Sequence, residues 1–302
     1  MILVTGGTGV VGGRVVQALL DSQQQVRVFA RGLSDWRDNP MPHFRRLGVD
    51  VISGDIRNAD KVAAAIEGCN CIINLAAIMR ETAEFDCYSI NAEAVSRLLE
   101  VGQQNGVQRF IQLSCLGATQ YSHSTYFASK WQSENMVRQS SLYWTIFRPS
   151  LIFAPGSLLT RALDFWVSKG PFIPIPGSGL NAISAVSADD VAACIVQSIY
   201  NKDTVNKTYD LFGPKSYSLT ELLEIASAES EKGSKPVVKI PAGLGLALAR
   251  FIGKANPRCP ITEDVVKTLS TELSGNPQIM LENFMVNGLP FESAYRRLTA
   301  QN

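Results

Sequence analysis

The chain has 302 residues, of which 46% are hydrophobic and 18% charged, a balance that excludes a disordered or fibrous protein and suits one large α/β domain or two unequal ones. Its 28 basic and 27 acidic residues leave a formal charge of +1, so no bulk field draws in nucleic acid, which is not expected as a partner, or an anionic membrane. Six scattered cysteines without a CxxC pair and two histidines make a poor metal inventory, and no metal is expected.

In chain order, Met1-Ile2-Leu3-Val4 runs straight into a glycine turn with no basic leader, which predicts no secretory signal and a cytoplasmic location. Strands are predicted at Met1–Thr5, Val26–Ala30, Val49–Ser53, Cys71–Leu75, Phe110–Ser114 and Tyr143–Phe147. Between them, apolar residues at helical spacing predict helices at Val10–Leu20, Ala59–Ile66, Tyr88–Gln104 and Ser124–Arg138. Strand and helix in alternation require crossover connections, and so an α/β doubly wound parallel sheet, the Rossmann arrangement, over residues 1–150.

After Pro149, prolines and glycines loosen the pattern, and residues 151–302 are expected to form a smaller C-terminal α/β lobe interleaved with the core. Its helices are predicted near Ser187–Ser198, Ser218–Ser227 and Ala242–Gly253. Trp166, Phe172, Ile173 and Ile175 suit either an apolar substrate wall or core packing. The run Ile240 to Gly253 is interrupted by Arg250 and falls short of the roughly 20 residues that span a bilayer. Its amphipathic body is expected to pack in the lobe, with peripheral contact to a membrane or a protein partner left open.

Thr5-Gly6-Gly7-Thr8-Gly9-Val10-Val11-Gly12 follows a strand and opens a helix, the context a glycine-rich phosphate loop requires. Gly6 permits the tight turn, Gly9 lets backbone approach a pyrophosphate, and Gly12 allows close helix packing. The helix-start amides then face the phosphates, with Thr8, Val10 and Val11 completing the contacts. The second strand ends Phe29-Ala30-Arg31, a neutral residue and a cation where an acid would accept from an adenosine ribose, so NADP(H) is favoured over NAD(H). Asp55 and Ile56 after the third strand form the expected adenine edge, Asp55 accepting from an amine or capping the next helix. Ala76 and Ala77 after the fourth leave room for the cofactor.

Ser114 closes the fifth predicted strand, and Tyr126 and Lys130 lie four apart on one helix face. A neighbouring ammonium is expected to lower the phenol's pKa, and a serine hydroxyl can polarise a carbonyl. Cys115, with no histidine placed to activate it, reads as a small packed residue.

With these motifs the chain resembles the short-chain dehydrogenase/reductase superfamily, in its extended and atypical branches. TGGTGVVG is similar to the family's phosphate loop, Tyr126–Lys130 (YFASK) to its active-site motif, and Phe147–Gly156 to the arginine-proline stretch set beside the nicotinamide. The resemblance implies Tyr126 as general acid/base, Lys130 as holder of the nicotinamide ribose, Ser114 as orienter of the substrate oxygen, and Pro149 as a cofactor contact. It implies hydride transfer between NADP(H) and a small carbonyl or alcohol substrate. The twelve-residue interval from Ser114 to Tyr126 is short for nucleotide-sugar epimerases and dehydratases, which stand as an alternative. The pattern also resembles the nucleotide-binding accessory subunit of respiratory complex I, so a non-catalytic NADP(H)-binding structural or assembly protein, with a protein-complex partner, is a third expectation.

Overall fold

The computed structural model describes residues 1–31, 41–122, 124–230, 233, 235–256 and 259–299. Contacts divide the chain into two units, Met1–Pro149 with Val191–Asp210, and Ser150–Asp190 with Leu211–Asn302. In chain order the first unit carries β1 (Ile2–Thr5), α1 (Val10–Asp21), β2 (Val26–Ala30), α2 (Met41–Arg46), β3 (Asp50–Ser53), α3 (Ala59–Ile66), β4 (Cys71–Asn74), α4 (Ala94–Gln104), β5 (Arg109–Leu113), α5 (Thr125–Gln139) and β6 (Tyr143–Pro149). The second unit follows with β7 (Ile152–Phe153), α6 (Leu158–Ser168), β8 (Ile173–Pro176), β9 (Ala182–Ile183) and β10 (Val186–Ser187). After α7 (Ala188–Tyr200) and β11 (Lys207–Leu211), β12 (Tyr217–Ser218), α8 (Leu219–Ala228), β13 (Val237–Ile240), α9 (Ala242–Ala255), α10 (Glu263–Leu269), α11 (Gln278–Phe284) and α12 (Phe291–Thr299) belong to the second unit.

Parallel pairing joins β1 to β6 into one sheet, which β11 extends to seven strands in the order β11-β6-β5-β4-β1-β2-β3. All four residues of β1 and all four of β4 are buried, as expected of short apolar runs covered by helices on both faces. The order runs outward in both directions from β1, so the switch point lies between β1 and β4, where ligands sit at the carboxyl ends of such sheets.

Six of these strands are the predicted ones, shifted by a residue or so. The seventh adds Tyr209, whose ring stacks on Phe147 of β6 at 6.0 Å. The predicted helix Tyr88–Gln104 is interrupted: Ser89–Glu93 forms a π-helical turn before α4. Periodicity does not register such a turn, because it sits at the helix start and the apolar stripe of α4 follows it unbroken.

Arg109 ties the far end of this sheet together. Its buried guanidinium donates to Tyr143 O and Ser198 O, both at 3.0 Å, to Thr204 Oγ1 at 3.1 Å, and to Thr145 Oγ1. Ser198 lies in the last turn of α7, whose carbonyl end carries partial negative charge, so the cation is compensated without a carboxylate.

In the second unit Phe291 is the aromatic hub, with ring centroids 5.3 Å from Phe153, 6.0 Å from Tyr217 and 5.1 Å from Tyr295. Tyr295 donates to Asp164 Oδ1 at 2.6 Å, tying α12 to α6. Trp166, Ile173 and Ile175 pack in this unit's core, while Phe172 is exposed. Helix α9 packs only one face: Ala249 is buried, but Leu244, Leu248 and Phe251 are 52%, 44% and 73% exposed. The expectation of ordinary packing therefore holds for half of this helix, because its apolar residues encircle it. Among the described residues no helix is long and apolar enough to cross a membrane.

Candidate active site

The glycine loop is built by steric exclusion. Gly6 has φ of +67°, a backbone L side chains rarely adopt, and a Cβ there would stand 2.7 Å from Ala76 N. At Gly12 a Cβ would stand 2.1 Å from Gly6 O, so α1 starts directly against the turn that precedes it. Gly9 N–H donates to Gly6 O at 3.0 Å. No side chain caps α1, so the first-turn amides of Val10, Val11 and Gly12 remain available to an anion. The loop, Thr8 and the Ala76-Ala77 backbone thus form one cradle beside the switch point.

At the end of β2, Arg31 lies over the Phe85 ring, 4.3 Å from its centroid, and Arg57 lies 4.5 Å from the same centroid. Two guanidiniums on one aromatic make a cationic, flat surface. Asp55 is bidentate to Arg57, with Nη2 to Oδ2 at 2.6 Å and Nε to Oδ1 at 3.1 Å, and that partner holds its carboxyl below the usual carboxylate range. Asp55 does not cap α3; Asn58 does, accepting from Lys61 N–H at 3.1 Å. Ile56 is buried beneath this cluster's strand end.

The catalytic candidates gather where β5 meets α5. Lys130 is 2% exposed, and its Nζ donates to Leu113 O at 2.6 Å. Burial pushes its pKa down, while Cys115 and Glu134 act to raise it. The Tyr126 hydroxyl interacts with the Cys115 thiol and, counter to expectation, is held well above its ordinary pKa, by burial first and then by that thiol. Burial likewise pushes Cys115 up to about 11, so the thiol stays protonated at neutral pH.

Ser114 is placed differently. Its N–H donates to Phe147 O at 2.7 Å and Leu116 N–H donates to Pro149 O at 3.0 Å, so strand geometry continues past the end of β5. Successive side chains then leave opposite faces. Cys115 faces Tyr126, and the buried Ser114 Oγ has no hydrogen-bond partner among the described residues.

Polar groups that the sequence analysis does not single out hold these residues. Thr5 Oγ1 donates to Asn74 Oδ1, Asn74 Nδ2 to Gln112 Oε1 at 2.9 Å, and Gln112 Nε2 to Leu113 O at 3.0 Å, the same carbonyl that Lys130 uses. Asn91 in the π turn accepts from Ile78 N–H at 2.8 Å and donates to Ser129 Oγ at 3.0 Å, fixing α5 against the loop after β4. Glu134, fully buried two turns beyond Tyr126, receives Arg148 Nε at 2.8 Å and Arg138 Nη2 at 2.6 Å. The only advance signal for these was the polar residue at a strand end or in the centre of a helix. Among the described residues no three His, Cys, Asp or Glu side chains gather as a metal site.

Residues 6–202 match the NAD(P)H-binding family, and the chain belongs to that family, as its short-chain dehydrogenase/reductase motifs imply. It is 31% identical over 252 residues, 82% of its length, to the mitochondrial NADH dehydrogenase [ubiquinone] 1 alpha subcomplex subunit 9 of Arabidopsis thaliana, and spans 61% of that relative. An NAD(P)H azoreductase of Xenophilus azovorans is 26% identical over 85% of the chain and 82% of its own length. In fold, the NADPH complex of the quinone oxidoreductase QOR2 from Escherichia coli superposes with a TM-score of 0.75 at 17% identity, over 99% of both chains.

Proposed function

We propose that the chain is an NADP(H)-dependent oxidoreductase acting on a small carbonyl or alcohol. The observation that carries this reading is the convergence of Tyr126 and the buried Lys130 on the end of β5 in the same unit as the glycine cradle. The first-turn amides of α1, with Thr8, would hold the pyrophosphate, Ala76, Ala77 and Pro149 would flank the passing cofactor, and Asp55 and Ile56 would border the adenine. Arg31, poised on Phe85 where no acid closes β2, would take the 2′-phosphate and favour NADP(H) over NAD(H). When bound, the nicotinamide supplies or accepts the hydride. Tyr126, kept protonated by its surroundings, delivers its hydroxyl proton to the substrate oxygen as a carbonyl is reduced and recovers it in the reverse direction. Lys130 supports the phenolate that results and binds the ribose. The strand end at Ser114 and Cys115 supplies the side chain beside the phenol. The reading keeps the cytoplasmic setting expected from the sequence.

Turnover of NADPH against a panel of carbonyls and quinones tests this. Tyr126→Phe is expected to lower kcat by about 100-fold or more while NADPH still binds; unchanged turnover would overturn the mechanism.

A second reading has the protein bind NADP(H) as a structural ligand within a larger assembly. Two observations favour it: the likeness to a complex I subunit, and the exposed Leu244, Leu248 and Phe251 on α9. It requires cofactor that resists exchange and a stoichiometric partner whose binding is lost in Phe251→Ser; fast exchange and no such partner remove it.

A further inference from the structure

We propose that Cys115, and not Ser114, is the strand-end partner of the Tyr126 hydroxyl, a protonated thiol that positions the phenol for proton delivery. The inference rests on the oxidoreductase reading for its purpose but not for its geometry. Tyr126 interacts with Cys115, while continued β pairing at Ser114 and Leu116 turns the serine side chain to the other face. Ser114 Oγ is buried with no partner among the described residues, which a hydroxyl serving Tyr126 would not be.

The chemistry of sulfur gives this placement a consequence. A thiol sulfur is a weak acceptor, so it orients the Tyr126 O–H without holding it, and a carbonyl oxygen entering the site is the better acceptor. The proton then moves from the phenol oxygen to the substrate oxygen while Cys115 keeps its own. A serine in this place would compete more strongly for the same hydrogen. The thiol is not offered as a nucleophile, since burial keeps it protonated to about pH 11.

The charged and titratable groups around Cys115 are Lys130 and Arg148, which favour its thiolate, Glu134, which opposes it, and Tyr126, whose hydroxyl favours it. Cys87 faces Tyr126 from the π-turn side. Among the cysteines of the chain Cys115 alone is not fully buried, so its alkylation by iodoacetamide, followed by mass spectrometry of the native protein, reports its ionisation. The pH midpoint is read in wild type, Tyr126→Phe and Ser114→Ala, because access changes the rate and not the midpoint.

Tyr126→Phe is expected to raise the midpoint by about half a unit or more, and Ser114→Ala to leave it in place. An unmoved midpoint in Tyr126→Phe, or an equal shift in Ser114→Ala, overturns the assignment. In turnover, Cys115→Ser is expected to raise KM for the carbonyl several-fold with kcat less affected. Alkylation needs no turnover: a shifted midpoint without activity removes the oxidoreductase reading alone, and an unmoved midpoint with activity removes the Cys115 role alone.

Discussion

At the scale of single residues, the cradle depends on what is missing at Gly12. A methyl there meets the Gly6 carbonyl, which is backbone and cannot rotate away. Gly12→Ala is expected to cost about 1–3 kcal/mol of stability and to weaken NADPH binding at least about tenfold, read by thermal unfolding and by titration. Glu134 makes the opposite case, a fully buried carboxylate whose two arginine partners are a quarter to a third exposed. Glu134→Ala leaves both cations near an empty site, and with solvent screening of the arginines the cost is about 2–3 kcal/mol. Legibility at this scale was uneven. Gly6, Gly12, Tyr126 and Lys130 declared themselves by spacing within one segment. Cys115 did not, because choosing between two adjacent strand-end residues needs the pairing of Ser114 N–H with Phe147 O, a contact between separate strands.

Elements add constraints that no residue carries alone. The π turn Ser89–Glu93 turns Asn91 inward to grip both the Ile78 backbone and Ser129. Asn91→Ala removes these bonds and leaves buried Ser129 without one of its partners; a loss of about 1–3 kcal/mol is expected, with Lys130, on the next residue of α5, less well positioned. Turnover falling more than stability would mark the positioning role. In the second unit Glu263 of α10 is paired with Arg250 of α9 and with Lys267, which hold its carboxyl at about 2. The folded state thus releases a proton that the unfolded state retains up to the ordinary value of 4.5. The pair's contribution is complete above that value and is lost as pH falls through about 2. The gap in melting temperature between wild type and Glu263→Gln is expected to be largest near neutrality and to close toward pH 2. Most strands and long helices of the first unit were legible because their apolar periods are long and uninterrupted. α6 was not: Pro155, Gly156, Pro171 and Pro174 frame an eleven-residue helix that Ser157 caps through Thr160 N–H, and punctuation hid it.

At the scale of the whole first unit, the sheet gathers the candidate site at one edge and reinforcement at the other. The carboxyl ends of β1, β4 and β5 present the cradle, the Thr5-Asn74-Gln112 chain and the Lys130 contact, while Arg109 fastens the starts of β5 and β6 to the end of α7. Arg109→Met is expected to destabilise the first unit by about 2–4 kcal/mol, read from its denaturant unfolding, and to leave NADPH affinity within about twofold, separating the two edges. Binding of a phosphorylated dinucleotide at this edge, through the loop and Arg31, is read by titrating the purified chain with NADPH and NADH, following nicotinamide fluorescence, in wild type and Arg31→Ala. NADPH is expected to bind more tightly than NADH, with the preference lost in Arg31→Ala as NADH affinity is retained. Equal affinity for the two cofactors in wild type, or no binding of either, would contradict it.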